Sequence, residues 1–279
     1  KVLKHCPETY IEPLTHVLNL SLQQGHVPDQ LKTAIVLPLY KSGDPKSISN
    51  YRPISILPAF SKILERIVHK RMMSYIDKHL ILTCNQFGFC EKYGTNLALI
   101  KIIDKILQSL QRQERVIGIF LDLKKAFDTI DHHILLNKLY KYGFRGLCHT
   151  WLTSYLDNRK QTVKYNDVYS TKHTISCGVP QGSILGPLLF ILYINDIVNV
   201  SSLFSYVLFA DDTNVFSSNR NLISLVQSVN SELLLLVEQL NTNRLSLNIA
   251  KTQYMVFSRA RHLPDCVLNV SLGNNSMQK

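Results

Sequence analysis

Leu203-Phe204-Ser205-Tyr206-Val207-Leu208-Phe209-Ala210-Asp211-Asp212-Thr213-Asn214-Val215-Phe216 is the stretch from which the fold is read. An apolar run leads into Phe209-Ala210-Asp211-Asp212, and Thr213 to Phe216 follows as a second short strand. Two apolar strands joined at a two-residue acidic tip, Asp211-Asp212, make a β-hairpin, because Asp tolerates unusual turn dihedrals. A pair of Asp at a turn is ordinarily just solvated turn chemistry. A second stretch changes that reading: Val116-Ile117-Gly118-Ile119-Phe120-Leu121 is an apolar strand that ends in Asp122. A carboxylate at the end of a buried strand is costly to desolvate unless a cation, a charge partner or water meets it. Two such strand ends side by side would suit a hard divalent cation, and Mg²⁺ is typically held by one or two carboxylates plus substrate phosphates. Side chains alternate faces along a strand, so Asp211 and Asp212 should point differently. Asp211 is assigned as the residue that shares ions with Asp122, and Asp212 as an auxiliary ligand or a structural turn residue.

The chain has 279 residues, enough for one large domain or two ordinary ones, and its 46 % hydrophobic share is normal for a globular core. Net charge is +11, from 31 Lys plus Arg against 20 Asp plus Glu. Residues 1–115 hold 16 basic and 9 acidic residues and the remainder 15 and 11, so the excess is heavier in the N-terminal part. A polyanionic partner such as nucleic acid follows from that charge, with a merely basic protein as the alternative. The six cysteines, Cys6, Cys84, Cys90, Cys148, Cys177 and Cys266, form no C-x-x-C pair and do not cluster with His at zinc spacing. They read as reduced thiols of the cytosol or nucleus. The longest apolar stretch, Leu188 to Ile194, is far too short to span a bilayer, so no membrane partner is expected. No signal peptide is visible, and a chain opening at Lys1 without Met is expected to be a piece of a longer polypeptide.

Taken in order, residues 7–24 have helical spacing closed by Gly25. Lys32 to Tyr40 reads as a strand in which Pro38 argues for an edge position. Lys41 to Pro53 is a polar loop made basic by Lys41, Lys46 and Arg52, either a lid over phosphates or a solvated surface loop. Ser61 to Leu80 reads as a basic helix with Ser61 as N-cap. Thr95 to Arg115 reads as another, with Leu99, Ile102, Ile103, Ile106 and Leu110 on its core face. Asp131 can cap a helix that ends at Gly143, and Leu147 to Leu156 gives a further helix holding the only Trp, Trp151. Arg159 to Tyr165 and Ser170 to Cys177 look like paired strands around Asn166-Asp167. Gly178-Val179-Pro180-Gln181-Gly182-Ser183-Ile184-Leu185-Gly186-Pro187 is a shaped turn running into a helix from about Pro187. Glycine there lets backbone approach a ligand and Gln181 offers both donor and acceptor groups, though a loop of purely structural shape has the same composition. Leu222 to Leu240 is an amphipathic helix, Thr252 to Ser258 a strand, and a last strand lies near Val267 to Leu272.

Asp122-Leu-Lys-Lys-Ala-Phe127-Asp128, Gly178-Val-Pro-Gln181-Gly182-Ser-Ile-Leu-Gly-Pro187 and Phe209-Ala-Asp211-Asp212, in that order, resemble the central motifs of reverse transcriptases from non-long-terminal-repeat (LINE-type, jockey-like) retrotransposons. Tyr51-Arg52-Pro53-Ile54-Ser55-Ile56-Leu57 and Gln86-Phe87-Gly88-Phe89 look like the upstream finger motifs of that family. Asn248-Ile249-Ala250-Lys251-Thr252 looks like the motif that follows the catalytic hairpin. The resemblance implies an α+β right-hand polymerase with fingers at 1–115 and palm at 116–279, the palm an antiparallel sheet backed by helices. A thumb is expected after the final strand, where no sequence is left for it, and an endonuclease domain is expected upstream in the longer polyprotein.

By the same resemblance, Asp122, Asp211 and Asp212 are the catalytic and metal-binding acids, serving two Mg²⁺ ions with Mn²⁺ as a substitute. Lys41 and Arg52 would hold the triphosphate, Gln181 and Gly182 would line the nucleotide and template pocket, and Phe127 would lie beneath the incoming sugar. Lys251 would act as a general acid toward departing pyrophosphate, against the commoner reading of an exposed lysine beside a strand. Cys90 stands where relatives usually carry Arg, which removes one charge-assisted contact. The implied activity is RNA-directed DNA polymerisation, with an RNA template, a DNA primer and dNTPs as partners, in a retrotransposon ribonucleoprotein of nucleus and cytoplasm. The rival readings are a decayed or non-catalytic RNA-binding remnant and, more remotely, a metal-dependent nuclease.

Overall fold

The computed structural model describes residues 8–91, 93–260, 270–272 and 275–276. In chain order the elements are α1 (Ile11–Gln24), β1 (Thr33–Tyr40), β2 (Tyr51–Ile56), α2 (Ala59–His79), α3 (Thr95–Gln111), β3 (Arg115–Leu121), α4 (His132–Lys141), α5 (Leu147–Leu156) and β4 (Lys160–Tyr165). Then come β5 (Val168–Tyr169), β6 (His173–Thr174), α6 (Leu185–Ile194), β7 (Ser205–Phe209), β8 (Asp212–Asn219), α7 (Leu222–Thr242), β9 (Gln253–Phe257), β10 (Ser271–Leu272) and β11 (Asn275–Ser276). The class is α+β. The chain forms two compact units, each from two separate stretches: Lys1–His79 with Asp131–Leu189, and Leu80–Ile130 with Phe190–Lys279. A division into 1–115 and 116–279 does not coincide with these units.

The first unit carries a mixed sheet of order β2-β1-β4-β5, with β6 also pairing with β4. Here β1 is antiparallel to β2 and parallel to β4. Pro38 therefore sits in an interior strand, contrary to the edge position its missing N–H suggests. The reason is local: β4 pairs only along Thr33 to Val36, and beyond that β1 has a neighbour on one side alone, with Pro38 opposite Pro53. Tyr51-Arg52-Pro53, expected as loop, belongs to β2. Ser61 is a second correction. It lies inside α2, buried, with its hydroxyl on Glu65 rather than capping the helix. Asn166 and Asp167 both take positive φ, 45° and 62°, between β4 and β5, as a tight hairpin turn needs. The returning strand is broken into β5 and β6, because Ser170 turns its side chain onto the Val163 N–H.

The second unit is built on an antiparallel sheet of order β7-β8-β3-β9, with α3 and α7 packed against it. β3 is apolar along nearly its whole length because it is interior, with β8 and β9 on either side. A cluster of Phe87, Ala98, Val116, Val207 and Phe216, joined by Ile102 and Ile106 of α3, fills the space beneath. Leu99 and Ile103 of the same helix are 54 % exposed each, so its buried face is narrower than the apolar pattern suggests. α3 ends at Gln111, and Arg115 opens β3. Val267 to Asn269 of the expected last strand lie outside the described residues, while β10 pairs with β11. Among the described residues, Cys84, Cys90, Cys148 and Cys177 are in no disulfide, and Cys6 and Cys266 lie outside the described residues.

Candidate active site

The acids are brought together by strand register. β3 and β8 pair through Leu121 and Thr213, and continuing that register sets Asp122, one residue past the end of β3, level with Asp212 at the start of β8. β7 and β8 close through Phe209 and Asp212, which makes the two-residue tip Ala210-Asp211 and not Asp211-Asp212. Ala210 takes φ 57°, a region that propensity would not assign to Ala, and this shifts the turn by one residue. Asp211 is thus the tip and Asp212 a strand residue, exposed at the sheet end. Partial burial and the nearby carboxylates of Asp211 and Asp122 push the Asp212 carboxyl above the usual range. The three acids thus share one electrostatic neighbourhood.

Asp122 is fixed twice by one residue. Asn248 donates its Nδ2–H to Oδ2 of Asp122 at 2.8 Å, and its backbone N–H to the Asp122 carbonyl at 2.8 Å. Thr252 accepts from the Asp122 N–H at 3.4 Å and donates to the Asn248 carbonyl at 3.0 Å. Among the described residues, no group of three or more His, Cys, Asp or Glu side chains is gathered closely enough to hold a metal ion by itself. Asp122 and Asp211 fit the other arrangement, in which one or two carboxylates are completed by substrate phosphates. Lys251 is exposed in the turn behind Asn248.

Phe127 is half-buried in the turn after Asp122. Its ring stacks on Phe190 with centroids 4.8 Å apart, and Phe89 meets it edge-on at 6.3 Å. The ring is therefore held on a fixed aromatic support. All of these residues, with the acids, belong to the second unit.

The first unit holds the other four sequence-assigned residues. Lys41 follows β1 and Arg52 lies on β2, both exposed. The Ser55 N–H of β2 donates to the Gln181 carbonyl at 2.7 Å, so the loop carrying Gln181 and Gly182 is laid along that strand. Gly182 has φ 117°, and a Cβ there would sit 2.6 Å from the Ser55 carbonyl oxygen, so no larger residue fits. The loop turns into α6 through Ser183, whose Oγ accepts from the Gly186 N–H at 2.9 Å. Glu65, 1 % exposed, completes the cap from α2 by accepting from the Ile184 and Leu185 N–H groups at 2.6 and 3.4 Å.

Glu65, Asn248 and Gln86 were assigned no role from the sequence. Asn248 and Gln86 stand inside motifs quoted above, but a carboxamide's partner is invisible without the fold. Glu65 had one signal: an acidic residue at a core position of a helix, which needs partners when buried.

Residues 41–272 match the family model described as reverse transcriptase (RNA-dependent DNA polymerase). The chain is 34 % identical over 223 residues to the probable RNA-directed DNA polymerase from transposon X-element of Drosophila melanogaster, which covers 78 % of this chain and 24 % of that protein. It is 27 % identical over 281 residues to the RNA-directed DNA polymerase from mobile element jockey of Drosophila funebris, covering 98 % of this chain and 31 % of the relative. The chain thus spans about a quarter of the length of the curated relatives it matches. Among solved structures, a telomerase from Candida tropicalis superposes with a TM-score of 0.58 at 12 % identity, over 89 % of this chain and 45 % of that one, a likeness of fold.

Proposed function

We propose that this chain, which belongs to the reverse transcriptase (RNA-dependent DNA polymerase) family, extends the 3′-hydroxyl of a DNA primer with dNTPs on an RNA template in retrotransposition. The observation that supports this reading is the strand register that sets Asp122 level with Asp212, the residue that follows the Asp211 tip, with both neighbours raising the Asp212 carboxyl. Reverse transcriptases generally depend on divalent metal. Bound Mg²⁺, or Mn²⁺ in its place, would lower the charge on the attacking and leaving oxygens of an in-line displacement. Asp122 and Asp211 would hold two such ions, with Asp212 as an auxiliary. Asn248 keeps the Asp122 carboxylate aimed by hydrogen-bonding one of its oxygens and leaving the other open. Lys41 and Arg52 bind the triphosphate by charge, and Gln181 and Gly182 present backbone and carboxamide groups to the nucleotide. Lys251 supplies a proton to the departing pyrophosphate. Positioning and charge stabilisation carry the rate, since phosphoryl transfer asks little covalent work of the protein.

The remaining polyprotein segments, a thumb and an upstream endonuclease, are proposed as partners in a ribonucleoprotein of nucleus and cytoplasm, as is the division into fingers at 1–115 and palm at 116–279. No helix among the described residues is long and apolar enough to cross a membrane.

The test is extension of a labelled DNA primer on an RNA template with Mg²⁺ and dNTPs, comparing the chain with Asp122→Asn and Asp211→Asn. Each substitution keeps the shape and removes the charge that a hard cation needs, so products should vanish while the fold persists. Equal incorporation by wild type and Asp211→Asn refutes the assignment. Salt-sensitive RNA binding without any incorporation would favour the non-catalytic remnant.

A further inference from the structure

Residues 85–88 run beside β7 and join it through a single isolated parallel bridge. The Leu208 N–H donates to the Asn85 carbonyl at 2.9 Å, and the Phe87 N–H donates to the Leu208 carbonyl at 2.8 Å, with Gln86 bridged in parallel to Leu208. This strap is anchored upstream. Asn195 accepts from the Thr83 N–H at 2.9 Å and donates to the Ile81 carbonyl at 2.8 Å, while Lys101 reaches the Asn85 carboxamide oxygen at 2.7 Å. Gly88 is pressed so closely against the hairpin that a Cβ would collide with the backbone N of Ala210 and lie 2.8 Å from the carbonyl carbon of Phe209.

The Gln86 side chain, 2 % exposed, closes the contact. Its Oε1 accepts from the Gly88 N–H at 2.8 Å and from the Ala210 N–H at 3.2 Å, while its Nε2 has no hydrogen-bond partner. The carboxamide is therefore held through its oxygen alone. Ala210 is the residue at φ 57°, immediately before Asp211. A non-glycine residue in that region is sterically disfavoured and persists only where its surroundings over-determine it. The ladder between β7 and β8 closes at Phe209 and Asp212, so the Ala210 N–H depends on Gln86 for its acceptor.

We propose that Gln86 is a positioning residue of the catalytic turn: its carboxamide oxygen fixes the Ala210 peptide and through it the place of the Asp211 carboxylate. The inference rests on the polymerase reading for its catalytic consequence, but not for its structural one. A misplacement of about 1 Å in a catalytic group can lower turnover by about 100-fold, so loss of the acceptor should act on kcat. Binding of the nucleotide by Lys41 and Arg52 does not involve this contact.

The experiment compares Gln86→Met, similar in length without the acceptor, with Gln86→Glu, which retains an oxygen at that place. Phe87→Leu serves as a control that loosens the same strap through its core side. Amide hydrogen exchange at Ala210 and steady-state primer extension are measured on each. The expected result is faster Ala210 exchange in Gln86→Met, kcat lowered by about 10- to 100-fold with the KM for dNTP within about twofold, and partial recovery of both in Gln86→Glu. Phe87→Leu, at comparable loss of Tm, should keep most of its kcat. Unchanged Ala210 exchange in Gln86→Met overturns the proposal, as does a kcat loss no greater than that of Phe87→Leu at equal stability. If the wild-type chain itself extends no primer, the polymerase reading fails and Ala210 exchange alone decides the clamp.

Discussion

Replacing Glu65 tests whether one buried carboxylate shapes the loop that presents Gln181. Each of its oxygens meets two donors: Oε1 takes the Ser61 hydroxyl and the Tyr155 hydroxyl, both at 3.2 Å, and Oε2 takes the Ile184 and Leu185 N–H groups at 2.6 and 3.4 Å. Burial and the nearby Glu65 charge push the Tyr155 hydroxyl well above its ordinary range, so it stays a donor at any working pH. Glu65→Ala strands two N–H groups at the start of α6 and two hydroxyls. At roughly 1–3 kcal/mol for each buried donor left unsatisfied, with the hydroxyls free to re-aim, the loss should be about 3–5 kcal/mol. Glu65→Gln keeps an oxygen for the helix N–H groups and turns its NH₂ toward hydroxyls that can accept. Only the charge is lost, with its advantage in strengthening hydrogen bonds and facing a helix N-terminus, so about 1–2 kcal/mol is expected. Urea unfolding at constant m measures both, and primer extension should fall in the same order. A cost below about 1 kcal/mol for Glu65→Ala, or equal costs for the two variants, would refute the reasoning.

Phe127→Val removes the ring held by Phe190 and should admit ribonucleotides, closing a discrimination of roughly 2–4 kcal/mol while dNTP use falls modestly; an unchanged ratio of kcat/KM for dNTP and rNTP would falsify the gate. Asp212→Asn should reduce extension less than Asp211→Asn, because Asp212 starts a strand while Asp211 is the tip; equal losses would end that distinction. Asp29 pairs with the buried Lys32 at 3.0 Å, which holds its carboxyl below the usual range. Its stabilisation is therefore present above the unfolded carboxylate pKa of about 3.9 and lost as pH falls through the lowered value. Asp29→Asn should lower Tm at pH 7, with the gap to wild type closing on acidification; a gap that is constant from pH 7 to 3 refutes it.

The hairpin and the Asp122 strand were legible because both are continuous apolar runs that end in acid, a pattern fixed by burial. The register of the tip was not, since it depends on Ala210 adopting a left-handed conformation that nothing in its local sequence favours, and its N–H meets an acceptor 124 residues away, Gln86. Pro38 misled because sheet position is judged residue by residue, and β1 is interior for only part of its length. Asp131 as a helix cap was readable because its partner, the Ile134 N–H, is three residues away. Ser61 was not, because its partner Glu65 also serves Tyr155 and Ile184, far along the chain. Local chemistry could be read in advance, while contacts that close over long sequence separations could not.

The discontinuous build of both units sets the order in which this chain can fold. β1 cannot gain its parallel partner until β4 has been made, since Thr33 pairs with Lys160. At about 5–20 residues per second, synthesis leaves β1 without that neighbour for roughly 6–25 s. Pairing so distant in sequence also carries a large loop-closure penalty before any contact rewards it, the circumstance in which folding is slow and aggregation competes. The first unit can be completed only when its second stretch, ending at Leu189, has emerged, and the second unit later still. A chain cut at 115/116 separates the two stretches of the first unit and divides the first stretch of the second, taking α3 from the sheet it packs against, so neither product holds a whole unit.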